Sequence, residues 1–241
     1  MENFSKAKKL TYFAVLTALT VVLQLVGNTV RIGVVTLNFS LVPIVLCGIL
    51  LGVWYGTALG AITGLIILLH GGILGADGFT NVLFATDPVI ITLVCIVKTA
   101  AAGAVSAILF NVIKRRNGYA AIFTASGIVP VVNSGLFILG MLCIVPSLYN
   151  AGFLTEGSNA FAGIVIGFVG LNFVFEFAVN LIVAPALYRV ICIVDKSFDK
   201  FRRERTETSG DKSPEENSDS GARFDDNSAS ENNANAQNKD L

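Results

Sequence analysis

Asn172, Glu176 and Asn180 recur at every fourth position in Gly170-Leu-Asn-Phe-Val-Phe-Glu-Phe-Ala-Val-Asn180, within an apolar run from about Phe161 to Val194. A helix places such a series on one stripe. The run exceeds the roughly 20 apolar residues that cross the hydrocarbon of a bilayer. A carboxylate and two carboxamides have no favourable place against lipid. Intramembrane ionisable groups turn toward a cavity or a partner, and by default they mark a functional site. Three kinds of chemistry fit the stripe: recognition of a small polar solute, acid–base work by Glu176, or adhesion between helices through the carboxamides.

Other segments supply polar groups at a similar depth. Lys98 lies sixteen residues from the basic marker Lys114, Asn133 fifteen from Gly118, and Glu176 twenty from Lys196. At about 1.5 Å per residue these separations are roughly 22–30 Å of helix. The three groups are therefore expected at mid-membrane or in its outer half, on three helices facing one cavity, with Asn172 and Asp87 nearer the outer mouth. A buried Lys98–Glu176 ion pair that only holds the bundle together is the alternative, and such pairs need not add stability. Asp87-Pro88 also reads as an ordinary helix start.

The elements that must position these groups follow from composition. The chain has 241 residues, 54% of them hydrophobic and 14% charged, and its mean hydropathy is +0.70. Six apolar segments stand out, roughly Leu10–Val26, Phe39–Val53, Thr57–Ile73, Pro88–Ile113, Tyr119–Val145 and Phe161–Val194. The second and third are separated only by Leu51-Gly-Val-Trp-Tyr-Gly56, read as a tight turn with Trp54 and Tyr55 at the headgroup level. A single bent span is the other way to read that pair. Basic residues decide the topology: Lys6, Lys8 and Lys9, then Lys114-Arg-Arg116, then Lys196, Lys200, Arg202, Arg203 and Arg205 fall on one side, and Arg31 alone on the other. Six spans with both termini cytoplasmic satisfy the positive-inside rule, and five do not.

The expected fold is thus an all-α integral membrane protein, multi-pass in the cell membrane, with six transmembrane helices in residues 1–195. Outer connections fall at Gly27–Asn38, Gly71–Thr86 and Pro146–Ala160. Gly71–Gly78, with four glycines in eight residues, reads as mobile, either a lid or a plain connector. Residues 196–241 are expected to form a disordered, charged cytoplasmic tail. The net charge of zero averages two regions: nine basic and five acidic residues up to position 194, eight basic and twelve acidic after it. The tail has too few apolar residues to fold, and its basic start suits anionic headgroups.

Several chemistries are missing from the sequence. Cys47, Cys95, Cys143 and Cys192 each stand alone in apolar segments, with no metal-site spacing. His70 is the single histidine, which removes His-based triads and metal sites. There is no P-loop, HExxH or GxSxG motif. The expectation is a binding protein and not an enzyme, with no cofactor of its own and no nucleic-acid partner.

Two stripes of small residues remain. Ala14 and Ala18 in the first segment make a smooth groove for another helix, and Gly48, Gly52, Gly56, Gly60 and Gly64 form a longer stripe suited to packing within the chain. With six spans, Ala14-x-x-x-Ala18, Leu37-Asn-Phe-Ser-Leu-Val-Pro-Ile44, Leu50-Leu-Gly-Val-Trp-Tyr-Gly56, Pro130-Val-Val-Asn-Ser-Gly-Leu-Phe137 and Gly170–Glu176, residues 8–194 resemble the S components of energy-coupling factor (ECF) vitamin importers. The resemblance implies capture of a water-soluble vitamin or related micronutrient from outside. It implies docking through Ala14 and Ala18 onto a transmembrane coupling subunit, whose two ATPase partners use the ATP. Lys98, Asn133, Asn172, Glu176, Asn180 and Asp87 are the pocket candidates, from depth and facing. One cation, one carboxylate and several carboxamides suit a pantothenate-like solute; riboflavin or folate would use Phe173, Phe175 or Phe177 as stacking surfaces. A stand-alone proton-coupled carrier with a Lys98–Glu176 relay, and a membrane enzyme using Glu176, are the other classes in play.

Overall fold

Apolar runs punctuated by Gly, Asp and Asn set the elements. A computed structural model describes residues 6–29, 31–32, 35–36, 38–150, 152, 154 and 159–210. In order these are α1 (Lys6–Gly27), a two-rung hairpin of β1 (Arg31–Ile32) and β2 (Val35–Thr36), α2 (Leu41–Leu51), α3 (Val53–Ile66), α4 (Gly78–Thr86), α5 (Pro88–Ile113), α6 (Gly118–Cys143), α7 (Val145–Asn150), α8 (Ala160–Ala162) and α9 (Gly170–Gly210). Arg31 pairs with Thr36 and Ile32 with Val35, antiparallel. Wider π-helical turns, Ile67–Ile73 and Gly163–Val169, extend α3 and lead into α9.

Among the described residues, five stretches are long and apolar enough to cross a membrane: Lys6–Gly27, Val53–Ile73, Pro88–Ile113, Gly118–Cys143 and Ala160–Ile193. This is the build of a membrane protein. The second apolar segment forms only the 11 residues of α2, roughly 16 Å of helix against about 30 Å of hydrocarbon.

α2 and α3 turn sharply at Gly52, with φ 101° and ψ 175°. That region of backbone space is essentially confined to glycine and costs other residues about 1–3 kcal/mol. An added Cβ there meets nothing within 4 Å, so the backbone alone carries the penalty. Gly52→Ala is expected to destabilise the purified protein by about 1–3 kcal/mol, read as a lowered melting temperature; an unchanged melt would mean that this turn relaxes freely. Trp54, just past it, is 86% exposed.

α3 and α5 run antiparallel in close contact. A Cβ on Gly60 would stand 2.2 Å from the Thr99 carbonyl oxygen, one on Gly64 2.2 Å from that of Cys95, and one on Gly103 2.3 Å from that of Gly56. Apart from Gly52 at the turn, the glycine stripe is thus consumed in packing inside the chain. α5 starts where Asp87 accepts a hydrogen bond from Ile90 N–H at 3.2 Å, with Pro88 in the first turn; α6 starts at Asn117, which accepts from Tyr119 and Ala120.

Two connections are more ordered than composition indicates. In Gly71–Thr86 the chain continues as a π-helical turn and then as α4, because Asp77 caps Gly78-Phe-Thr80 by accepting from the Thr80 N–H at 3.3 Å and from its hydroxyl. Asn81 Nδ2 ties α4 back to the Gly72 carbonyl at 2.6 Å. In Pro146–Ala160, α7 occupies the first part, and residues 151, 153 and 155–158 lie outside the described residues.

The chain divides into two compact units, 1–199 and 200–241, where sequence placed the boundary at 195/196. Of the tail expected from residue 196 onward, residues 196–210 continue α9 as helix, in keeping with the helix preference of Lys, Arg and Glu. Residues 211–241 lie outside the described residues.

Two apolar clusters hold the first unit together. One joins Leu16, Ile44, Leu59, Ala102, Ile122 and Ala184 near the Gly52 turn; the other joins Leu83, Ile91, Met141, Ile144, Leu148 and Ile164 beside α4 and α7. Between them, along both α5 and α6, lies a polar layer. That layer is the site.

Candidate functional site

Four of the sequence candidates, Lys98, Asn133, Asn172 and Glu176, line one cavity. Lys98 lies on α5, Asn133 on α6, and Asn172 and Glu176 on α9, one turn apart. Glu176 is 3% exposed and Asn133 4%. Asn180 is buried as well, but its Nδ2 bonds the Glu176 carbonyl at 2.9 Å within α9, and it does not line the cavity. Asp87 caps α5 and is likewise outside the lining, the helix-start alternative of the two read from sequence. A short polar side chain preceding proline is engaged by the helix it starts.

The cavity measures about 60 Å³. It holds a few waters or a small solute and is well below the roughly 300–1,000 Å³ of pockets for drug-sized ligands. A vitamin-sized solute therefore requires the elements around it to move apart. Phe79 and Thr80 of α4, with Asp77, border it on one side, and Ile67, Gly71 and Val169 come from the two π-helical turns.

A hydrogen-bonded chain that the sequence did not reveal leads into Glu176. Asn28 Nδ2 donates to His70 Nδ1 at 2.7 Å, and Gln24 Nε2 to Asn28 Oδ1 at 3.3 Å. The Ser40 hydroxyl donates to Gln24 Oε1 at 2.9 Å and touches Asn38 Oδ1. The Asn38 N–H then donates to Glu176 Oε1 at 3.1 Å, and Asn172 Nδ2 to the same oxygen at 3.0 Å. Gln24, Asn28 and Asn38 line the cavity too. Their only sequence signal was position: polar residues at the ends of apolar runs, indistinguishable from boundary residues.

Glu176 Oε2 has no partner. Lys98 Nζ sits instead over the Phe137 ring, 4.7 Å from its centre, a favourable cation–π distance. The two charges share a cavity without closing on each other. The closed ion pair weighed from sequence is not formed, and polar valence is left for a third party. Asn133 Oδ1 and Asn172 Oδ1 are also unpartnered, and so, outside the lining, are Ser126 Oγ and Asn180 Oδ1. Pro130 lies between Ser126 and Asn133 within α6 and lacks the N–H that would bond the Ser126 carbonyl.

The rings that face this cavity are Phe79 and Phe137. Phe175 is exposed, Phe173 and Phe177 lie against each other tilted by 33° with centroids 5.7 Å apart, and none of the three lines the cavity. On α1, Ala14 and Ala18 are both exposed, beside exposed Val15 and Leu19. Among the described residues no cluster of His, Cys, Asp and Glu could hold a metal ion, and the four cysteines are free. No protein-family model, curated protein or solved structure matches this chain.

Proposed function

We propose that the chain is the substrate-binding membrane subunit of an ECF-type importer, taking a small water-soluble micronutrient from outside and releasing it inside when docked on an ATPase-driven coupling module. The observation that carries this reading is Glu176: a buried carboxylate with one satisfied and one open oxygen, inside a polar cavity within apolar helices. Structural polar groups are ordinarily satisfied by their neighbours; a binding site keeps valence in reserve.

In this reading six segments cross the cell membrane, with both termini cytoplasmic. The shortness of α2 fits six crossings. Asn38, three residues before α2, reaches Glu176, and Ser40 reaches Gln24, so the chain has already descended to cavity depth where α2 starts. Roughly 16 Å of helix then suffices to reach the inner face, where Gly52 turns it. α4 closes the outer side.

The docking surface is the face of α1 that carries Ala14 and Ala18. Both are exposed among Val15, Leu19 and Val22, leaving a smooth strip where a partner helix can approach closely. The partners are the transmembrane coupling subunit and its two ATPases, which supply the ATP chemistry that this sequence lacks.

Co-purification of the tagged chain with coupling-subunit and ATPase proteins tests the proposal. The complex is expected to form with the wild type, and to fall at least tenfold in yield when Ala14 and Ala18 are changed to Phe, with unchanged monomer recovery. If no complex forms, or if it ignores both substitutions, the stand-alone carrier becomes the better account.

A further inference from the structure

The deepest wall of the cavity offers acceptors. Glu176 Oε1 already receives Asn38 N–H and Asn172 Nδ2, while Oε2 accepts no hydrogen bond within 3.5 Å, the nearby Asn133 side chain giving the carboxylate only weaker support. Because Asn172 gives its amino group to Glu176, its Oδ1 is turned away and is unpartnered, and Asn133 Oδ1 is a third open oxygen. Buried acceptors are costly until a donor arrives. A solute that brings only carboxylate or phosphate oxygens cannot supply one.

Charge points the same way. Among the described lining residues the ionisable groups are Lys98, Asp77 and Glu176, so the formal sum is one minus two, or −1. Asp77 is committed to the Thr80 N–H and hydroxyl. Lys98 is held over Phe137, one helical turn along α6 from Asn133, and closes no ion pair with Glu176. When Glu176 is ionised, a solute with positive charge offsets the cost of burying it.

We infer that the cavity takes a small solute carrying a protonated amine or amidine-type N–H group, seated on Glu176, Asn172 and Asn133. The inference rests on the proposed solute-binding role and sharpens it: the substrate is amine-bearing with net positive charge. It differs from the pantothenate-like solute expected from composition, whose carboxylate would add negative charge to a cavity that already holds Glu176. Alkali ions are the other cations such oxygens accept, and they form one arm of the test.

The test uses the full chain in nanodiscs of neutral phosphatidylcholine, at constant ionic strength. Ethylammonium, acetamidinium and putrescine chlorides are compared with sodium acetate, sodium pantothenate and potassium chloride, by thermal shift and titration calorimetry. The amine salts are expected to stabilise the protein saturably, and the acetate, pantothenate and potassium salts are not. Glu176→Gln should weaken the amine effect at least tenfold. Lys98→Gln should strengthen it severalfold, since it removes the one cation among the described lining residues; this arm survives even if the Glu176 variant fails to fold. A saturable effect of pantothenate without the amines overturns the inference. So does an equal effect of potassium, the absence of saturation by any amine, or weaker amine binding by Lys98→Gln. Co-purification with the coupling proteins reads the importer role separately: a complex with no amine binding sinks this inference alone, and amine binding without a complex sinks the importer reading alone.

Discussion

Gly60→Ala is expected to lower the melting temperature of the protein sharply, and Gly64→Ala to do the same, although each adds a single methyl group. At Gly60 the new Cβ would stand 2.2 Å from the Thr99 carbonyl oxygen and 2.7 Å from its carbon; at Gly64 it would stand 2.2 Å from the Cys95 oxygen and 2.6 Å from Ile96 Cα. These neighbours are backbone, which cannot swing aside as a side-chain tip can. α3 and α5 must separate, and with them the apolar layers on either side of the site. Overpacking of this kind costs about 1–3 kcal/mol or more, and in a protein of this size each 1 kcal/mol moves the melt by about 2–4 °C. A drop of roughly 5–10 °C is the expected result for either single change. Gly135→Ala is the control. It sits in α6 with nothing within 4 Å of the added Cβ, and helix propensity favours Ala over Gly there by about 1 kcal/mol. If all three variants melt together, close approach of α3 and α5 is not what the glycines provide.

The same stripe shows what the sequence could and could not disclose. Glycines at four-residue intervals are legible as a packing face, because no other residue type permits such an approach. The partner face also has a signature, the small residues Cys95, Thr99, Gly103 and Ala107 at four-residue intervals on α5, although it was not singled out from sequence. Glu176, Asn172, Asn133 and Lys98 were visible because polar groups are rare inside apolar runs. Their convergence could be estimated from helical rise, because each helix has a charged end to count from. Gln24, Asn28, Asn38 and Ser40 gave no such signal. They stand where apolar runs begin and end, and only the descent of the chain ahead of α2 carries them to Glu176. α4 was hidden for a different reason. The glycines of Gly71–Gly78 imply freedom, yet Asp77, three residues before Thr80, is a capping signal that outweighs them. In α9 only Phe198 and Phe201 are apolar between Lys196 and Gly210, too few to signal a packed face. That shortage did not remove the local preference of Lys, Arg and Glu for helix.

Glu176→Gln is expected to stabilise the ligand-free protein while abolishing its capacity to be stabilised by amines. Gln keeps a carbonyl oxygen where Oε1 stands, so the bonds from Asn38 N–H at 3.1 Å and Asn172 Nδ2 at 3.0 Å can persist. At the Oε2 position the change replaces a buried, unpartnered carboxylate oxygen by a donor, in a cavity that holds the open oxygens of Asn133 and Asn172. Relieving an unsatisfied buried acceptor is worth about 1–3 kcal/mol. The ligand-free variant should therefore melt roughly 3–8 °C above the wild type. With ethylammonium added, the wild type rises with concentration according to RT ln(1 + [L]/Kd) and the variant stays flat, so the two curves converge and then cross. A purely structural Glu176 gives the opposite pattern: the variant melts lower at every concentration, because the carboxylate is then the tie that holds the chain ahead of α2 against α9. The crossing thus separates a carboxylate kept for binding, at a cost to the empty protein, from one kept for the fold.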